Sequence, residues 1–362
     1  MSPLQLSVLD LVPVRTDQAT ADAVSATLAL ARTADELGYQ RYWLAEHHNM
    51  PAVAATNPPI LISLVAAATK RIRVGSGGVM LPNHAPLVVA EQFALLEAAF
   101  PGRIDLGIGR APGTDPVTSY ALRHGAGGVD DEAVSRFPEY VDNVLAMMEP
   151  SGVGLSVAGR THALKATPVA RTVPTIWLLG SSDYSARLAA EKGMPYVFAH
   201  PFSGSGTAEA LELYRSGFRP SPVTHAGGER SDRRQLAQPR TFLTVNAVVA
   251  ETAEEAELRA LPNLLMMVAL RTGAPLGPQL LVEEAEKALH EGAVPDAHRP
   301  LMDAMRSRWV IGDPDSARAQ LTALAAKFAV DEVMVHPVAA AHVGTDPAQS
   351  PTREETLRLL AA

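Results

Sequence analysis

The sequence contains no cysteine, and this absence alone excludes several kinds of chemistry. Disulfide bonds, thiolate metal sites and a cysteine nucleophile all require a residue that the chain lacks. Runs of basic residues are missing as well, since the 31 lysines and arginines are scattered and the formal net charge is −8. Proteins that bind nucleic acid present clustered positive charge, so we expect no nucleic acid among the partners.

Long apolar runs are also missing. No segment reaches the roughly 20 apolar residues that a membrane helix requires. The first residues, MSPLQLSVLD, lack the basic start and apolar run of a signal peptide. We therefore expect no membrane association and a cytoplasmic location.

Hydrophobic residues make up 47% of the chain and charged residues 19%, which is enough apolar surface for a packed core. We expect one domain over residues 1–362.

The clearest pattern is an alternation of short apolar runs with longer segments of helical periodicity. The strands are predicted at 4–14, 39–48, 72–81, 103–110, 174–180, 195–202, 240–250 and 330–338. The helices are predicted at 20–38, 57–70, 86–102, 131–149, 181–193, 207–218, 252–273 and 353–362. Eight strand-helix units favour an α/β fold, the closed (β/α)₈ barrel, with insertions after strand four and before strand eight. An open doubly wound sheet is the alternative, but the early GSGG cluster does not lead directly into a helix as a dinucleotide fingerprint requires.

Polar residues and glycines cluster where the predicted strands end, which is where such barrels bind ligands. The stretch GSSDYS places Gly180, Ser181, Ser182 and Ser185 at the start of a helix. Free amides and a partial positive charge there favour a phosphate, although Ser182 could simply cap the helix. Arg110, at the end of the neighbouring strand, adds a cation that could bind the same phosphate or lie on the surface.

Two adjacent histidines, His47 and His48, follow Glu46 at the predicted end of strand two. Successive strand residues point to opposite faces, and the helical His-Glu-x-x-His spacing of zinc hydrolases is absent, so a metal site is disfavoured. One histidine could instead handle a proton at a ligand site, because imidazole titrates near neutral pH. The remaining interpretation is structural, with a histidine holding Glu46 or a loop carbonyl.

Consecutive glycines, Gly77 and Gly78, interrupt the third predicted strand. Glycine inside a strand weakens it and needs a reason. Either a bulge forms there, or the backbone adopts a geometry that brings it beneath a flat ligand.

Three stretches together resemble the bacterial luciferase-like flavin-dependent monooxygenases. They are YWLAEHHN, RVGSGGVMLPNHAPLVVAEQFALLEAAFPGRIDLGIGRAPGTD and WLLGSSDYSARLAAEKGMPYVFAHPF. The resemblance implies a (β/α)₈ barrel that uses reduced FMN supplied by a separate flavin reductase. It implies that His47 is catalytic and that the Gly77-Gly78 peptide is cis beneath the flavin ring. The flavin phosphate is then expected on Arg110 and the serines at 181, 182 and 185, with Glu46 and Gly180 completing the cofactor site.

The same resemblance sets the expected reaction. Gly109 stands where luciferase has a reactive cysteine, and the long mobile lid has no counterpart, so we do not expect light emission. The chain looks more like the single-chain tailoring oxygenases of actinomycete natural-product pathways. We expect hydroxylation or epoxidation of a small organic molecule in polyketide-type antibiotic biosynthesis. An F420-dependent dehydrogenase or reductase of the same fold, and a flavin-binding protein without turnover, are the alternatives.

Two further expectations concern the surroundings of this site. Met80, His200, Phe202 and the helical stretch 262–305 are expected to shape the substrate pocket, although apolar side chains at such places are as often core. The segments 57–69 and 86–100 are more apolar than helices on a wet barrel surface need to be. We therefore expect them to pack across a two-fold axis in a homodimer.

Overall fold

The computed structural model describes residues 4–111, 113–125, 132–200, 206–220 and 236–362. Its strands are β1 (Gln5–Asp10), β2 (Arg41–Leu44), β3 (Arg73–Ser76), β4 (Val79–Met80), β5 (Ile104–Gly109), β6 (Val153–Val157), β7 (Arg160–Leu164), β8 (Thr175–Gly180), β9 (Tyr196–Phe198), β10 (Thr241–Val249), β11 (Val310–Gly312) and β12 (Glu332–Pro337). Eight of them close into a circle in the order β1, β2, β3, β5, β8, β9, β10, β12. Every neighbouring pair in the circle is parallel. The predicted (β/α)₈ barrel is confirmed.

The helices lie between and after these strands. They are Thr20–Glu36, Pro58–Ala68, Pro86–Ala99, Pro116–Gly125, Glu132–Ser135, Phe137–Met147, Asp183–Glu191, Thr207–Gly217, Ala253–Thr272, Val282–His290, Arg299–Arg306, Pro314–Phe328 and Pro351–Ala361. Several begin with proline, which suits the first helical turn because the amide it removes has no partner there. Asn57, before one of these prolines, accepts a hydrogen bond from the amide of Ile60. Across the described ranges, no helix combines the length and apolarity needed to cross a membrane.

Extra elements occupy the two places where insertions were predicted. Between β5 and β8 the chain adds short helices and the antiparallel hairpin of β6 and β7. Before β12 it adds two helices and the short strand β11, which pairs with β10 outside the closed circle. The hairpin and β11 were not predicted.

A buried ion network fills the barrel near the amino ends of its strands. The guanidinium of Arg41 contacts Asp105 at 2.7 Å and Glu332 at 2.6 Å, and all three side chains are buried. Arg73 approaches the other oxygen of Asp105 at 2.6 Å. Because each buried carboxylate is paired with arginine, the network closes the lower end of the barrel without leaving an uncompensated charge.

An aromatic layer lies directly above this network. The rings of Trp43, Trp177 and Phe242 meet edge to face or tilted, with centroids 5.0 to 5.7 Å apart. The indole N–H of Trp43 donates to Asp105 at 3.1 Å, which ties the two layers together. A ligand inside the barrel therefore has room only above this layer, at the carboxyl ends of the strands.

Candidate active site at the carboxyl end of the barrel

A cavity opens above the aromatic layer. Its empty volume is about 670 Å³ including the open mouth, and Trp43 and Gly77 are among the residues that line it. The wall is mainly apolar, which is usual for small-molecule sites. A second cavity of about 610 Å³ lies outside the barrel against Met147, Lys165 and Pro174. That cavity contains none of the strand-end residues predicted from the sequence.

The Gly77-Gly78 peptide bond is cis, as the resemblance implied. A Cβ atom on Gly77 would lie 2.7 Å from Cδ1 of Leu9, and one on Gly78 would lie 2.7 Å from the carbonyl oxygen of Gly107. At Gly78 the contact is with backbone, so a side chain there would force the neighbouring strand to move, whereas at Gly77 the end of the Leu9 side chain would have to shift. Gly77 thereby brings bare backbone to the cavity wall.

Glu46 holds together three segments around the cavity. Its carboxylate is buried and accepts hydrogen bonds from Nε2 of His48 at 2.9 Å and Nε2 of His84 at 2.7 Å. Its second oxygen accepts the amide of Met80 at 3.0 Å. Burial alone would raise the pKa of Glu46, but these hydrogen bonds outweigh it and lower the pKa to about 2.

This arrangement changes the interpretation of the histidine pair. Strand β2 ends at Leu44, so both histidines lie in the loop beyond it and the opposite-face argument does not apply to them. His48 has the structural role that the sequence left open, because its Nε2–H is bonded to Glu46. His84 was missed, since nothing local in its sequence connects it to a residue 38 positions earlier. Glu46, predicted at the cofactor site, has both oxygens bonded within the chain.

His47 differs from its neighbour. Its backbone amide donates to the carbonyl of Ala55 at 2.8 Å, which fixes the loop. Its Nδ1 atom is buried and has no hydrogen-bond partner in the described ranges. Burial lowers the pKa of His47 to about 4, although the charge of Glu46 opposes the shift. The ring is therefore neutral at pH 7 and keeps a buried polar atom without a partner in the described ranges, which is the kind of exception that needs an explanation.

The helix Asp183–Glu191 begins directly after β8 with hydroxyls at its first turn. Ser182 occupies the capping position, yet its side chain makes no capping hydrogen bond, and both Ser181 and Ser182 are exposed. The capping alternative is therefore not what the structure shows. Asp183 adds a carboxylate to the same turn, where it stabilises the helix itself.

Ser185 lies on the inner side of this turn. Its hydroxyl donates to the carbonyl of Ser182 at 2.9 Å and lies 3.3 Å from the hydroxyl of Tyr196. A Cβ atom on Gly180 would meet Oγ of Ser185 at 2.1 Å, so glycine is needed for the serine to pack there. The structure thus brings the predicted serines together but turns Ser185 into the protein.

Arg110 reaches the same turn from the end of β5, which neighbours β8 in the barrel. Its guanidinium lies over the ring of Tyr184, 4.1 Å from the centroid, a cation–π contact that the sequence did not reveal. Arg110, the exposed hydroxyls and the free first-turn amides together form an arrangement that can hold an anion.

Met80 and His200, which were predicted to shape the substrate pocket, are not among the residues that line the cavity. His200 faces Thr207, with Nδ1 2.7 Å from that hydroxyl, and its ring packs edge to face on Phe328. Met80 supplies its amide to Glu46. Phe202 lies outside the described residues.

Among the polar side chains that line the cavity, Asn263 belongs to the predicted stretch 262–305, whereas Asn246 and His336 were not assigned to the pocket from the sequence. Asn246 on β10 and His336 on β12 are register partners, and Nδ1 of His336 lies 3.1 Å from Oδ1 of Asn246. Burial lowers the pKa of His336 to about 3, and the charge of Arg353 adds to this shift while that of Asp10 opposes it. Asn263, from the helix Ala253–Thr272, lines the same wall. His336 was visible as a strand-end residue, but its pairing with Asn246 depends on strand register.

Known proteins resemble this chain over nearly its whole length. The sequence model of the luciferase-like monooxygenases matches residues 4–332. The Bacillus subtilis (strain 168) protein YvbT is 40% identical over 331 residues, covering 91% of this chain and 90% of YvbT. A luciferase-like monooxygenase of Escherichia coli (strain K12) is 36% identical over 342 residues, covering 92% and 91%. The N-acetyl-S-alkylcysteine monooxygenase of Bacillus subtilis (strain 168) is 32% identical over 333 residues, covering 92% of each chain.

Solved structures share the barrel. Apo-MsnO8 superposes with a TM-score of 0.80 at 33% identity, covering 99% of this chain and 97% of MsnO8. Two structures below 25% identity show the common fold only. The oxygenating constituent of Pseudomonas putida 3,6-diketocamphane monooxygenase, in complex with FMN, has a TM-score of 0.69 at 19% identity, covering 99% and 97%. An F420-dependent secondary alcohol dehydrogenase with an F420-acetone adduct has a TM-score of 0.61 at 15% identity, covering 99% of each. Since the family's sequence model covers most of the chain and several relatives exceed 30% identity over nine-tenths of it, the chain belongs to the luciferase-like monooxygenase family.

Proposed function

We propose that the protein is an oxygenase that uses reduced FMN and dioxygen to hydroxylate or epoxidise a small organic substrate. The observation that carries the proposal is the neutral ring of His47, whose buried Nδ1 has no partner in the described ranges. It lies near His336, a residue of the cavity wall, so that protonation of one ring would disfavour protonation of the other. A neutral imidazole has one N–H and one lone pair, so His47 can give or take one proton there.

The residues present fit FMN. Arg110, the hydroxyls of Ser181 and Ser182 and the first-turn amides would hold its phosphate. From that point the ring system would extend toward Gly77, where bare backbone allows close approach. When bound, the reduced flavin would supply the electrons that activate dioxygen.

The chain's own residues would do three things around that cofactor. The aromatic layer below the cavity, which includes Trp43, keeps water from entering through the barrel. Glu46 fixes the loop of His47 relative to the segment that follows Gly78, through His48 and the amide of Met80. His47 would hold or accept the proton that the reaction moves.

The source of the reduced flavin and the pathway of the substrate are proposed from the sequence resemblance. We propose that a separate flavin reductase delivers the reduced FMN and that the substrate belongs to secondary metabolism, as in the single-chain tailoring oxygenases. The relative named N-acetyl-S-alkylcysteine monooxygenase adds thioether-containing amino acids to the candidate substrate classes. F420-dependent hydride transfer, as in the dehydrogenase of the same fold, is the alternative.

The test compares the two cofactors on the same protein. Equilibrium titration with FMN and with F420 establishes which is bound. Reoxidation of the bound, reduced cofactor by dioxygen is then followed by its visible absorbance, and incorporation of labelled oxygen into candidate substrates by mass spectrometry. FMN binding with labelled product supports the oxygenase. Reduction of F420 by secondary alcohols without oxygen incorporation would replace it with a dehydrogenase, and FMN binding without reaction would indicate a binding protein.

A further inference from the structure

The strand order gives the cavity two chemically different sides. In the closed circle, β10 lies four places from β3, and β12 lies four places from β5. The wall that contains Asn246 and His336 therefore stands across the barrel from Gly77 and from Arg110. If a flavin is held by Gly77 and Arg110, the wall formed by β10 and β12 faces any second ligand in the cavity.

One nitrogen of His336 is available on that wall. The amide oxygen of Asn246 can only accept a hydrogen bond, so Nδ1 of His336 carries the hydrogen in this contact. The low pKa of His336 keeps the ring neutral, and Nε2 then has a lone pair. Within the described ranges, Nε2 makes no hydrogen bond, and His336 borders the cavity. The wall thus offers one fixed hydrogen-bond acceptor.

The cavity lining around this acceptor is mainly apolar, and the neighbouring Arg353 is paired with Asp10 at 2.6 Å. Met266, Met267 and Met334 line the same cavity together with Leu11. No lysine, arginine, aspartate or glutamate belongs to the lining among the residues that the structure describes. Methionine side chains adapt to ligands of varied shape, so this side of the cavity discriminates between ligands by their polarity more than by their shape.

We propose that this wall binds the organic substrate, and that the substrate is a neutral, mainly apolar molecule that donates one hydrogen bond, from a hydroxyl or an N–H group, to Nε2 of His336. The inference rests on the proposed function, because it places the substrate opposite the flavin. Asn246 acts as a positioning residue that fixes the tautomer and orientation of the imidazole. Asn263, from the helix over the cavity, is placed to contact a second polar group of the same molecule.

The experiment measures binding of three matched probes, 1-octanol, methyl octyl ether and octanoate, by calorimetry. We expect wild-type protein to prefer the alcohol over the ether by about 3- to 10-fold, the range of one hydrogen bond. Octanoate should bind more weakly still, because its charge would be buried without a cation. His336→Phe should abolish the preference for the alcohol, whereas His336→Gln retains an acceptor and should preserve part of it. His162→Asn, at an exposed position on β7, is the control and should behave as wild type.

The wild-type measurement alone can overturn the proposal, so it does not depend on whether His336→Phe folds. Equal affinity for the alcohol and the ether, or tighter binding of octanoate, would refute it. Repeating the titrations with saturating FMN separates it from the proposed function. Loss of alcohol binding through simple competition with FMN would refute the two-sided arrangement. Undetectable FMN binding with an intact alcohol preference would end the FMN proposal while leaving the acceptor wall in place.

Discussion

Replacing Glu46 by glutamine is expected to destabilise the fold in a way that depends on pH. The folded protein holds the pKa of this carboxyl at about 2 instead of the ordinary 4.5. At about 1.36 kcal/mol for each pH unit, that difference corresponds to ~3 kcal/mol of stabilisation. Because the folded pKa is the lower one, the stabilisation is complete above pH 4.5 and is lost as the pH falls toward 2.

Glutamine keeps the shape of the side chain but changes its hydrogen bonds. Nε2 of His48 and Nε2 of His84 both donate to one oxygen of Glu46, and a glutamine oxygen can still accept them as weaker, uncharged bonds. The other position becomes an NH₂ group that faces the amide of Met80, so two donors meet. A buried donor without a partner costs about 1 to 3 kcal/mol, which agrees with the magnitude from the pKa.

The assay is urea denaturation of both proteins from about pH 7 down to about pH 3. We expect the difference in unfolding free energy between wild type and E46Q to be largest near neutral pH and to shrink below about pH 4.5. A difference that stays constant over the whole range would refute the assignment of an ionised, hydrogen-bonded Glu46.

Glu97 provides a control with the opposite sign. Burial raises the pKa of this carboxyl, even though Thr172 and the amide of Gly102 donate to it. The protonated form is then favoured in the folded state, and the stability that this carboxyl contributes is lost as the pH rises through its folded pKa. We expect Glu97→Gln to become more favourable relative to wild type as the pH increases, so the two variants should show opposite trends.

Three further predictions concern binding, turnover and assembly. FMN should bind at least about tenfold more tightly than riboflavin by equilibrium titration, because the proposed anchors, Arg110 and the helix amides, would contact only the phosphate; equal dissociation constants would remove the phosphate assignment. His47→Ala should lower turnover by ~10²-fold while FMN affinity stays within a few-fold, measured by steady-state oxygenation and titration, and a fully active variant would end the catalytic role. We also propose a homodimer through helices Pro58–Ala68 and Pro86–Ala99, where Ile60 is 60% and Leu95 56% exposed; a monomeric mass by light scattering would contradict it.

The barrel could be predicted because its strands and helices follow local periodicity. The predicted strands extend beyond the observed ones, most clearly for 39–48, where β2 ends at Leu44. Ala45 and Glu46 continue the buried run, so apolar patterning alone gives no signal for the end of the strand. The loop is instead set by a backbone hydrogen bond from His47 to Ala55, which no periodicity encodes.

Elements outside the barrel were harder to predict for different reasons. The hairpin of β6 and β7 turns at Ala158 and Gly159, both with positive φ. Alanine is not typical of such a turn, so the sequence gives only a weak signal for it. Its strands are largely exposed and lack the alternation of a half-buried sheet. The helix Pro314–Phe328 was not predicted either, although its start carries a local signal, since Asp313 precedes a proline and caps the first turn.

The residues of the candidate site also differ in whether neighbouring sequence is enough to identify them. The GSSDYS turn and the two glycines are contiguous motifs, and their placement at strand ends follows from the barrel itself. The contacts of Glu46 with His84, and of Asn246 with His336, join residues 38 and 90 positions apart. Such pairs exist only once strand order and register are known. Sequence motifs therefore locate the proposed cofactor side of the cavity, whereas the proposed substrate side is defined by contacts that only the folded chain makes.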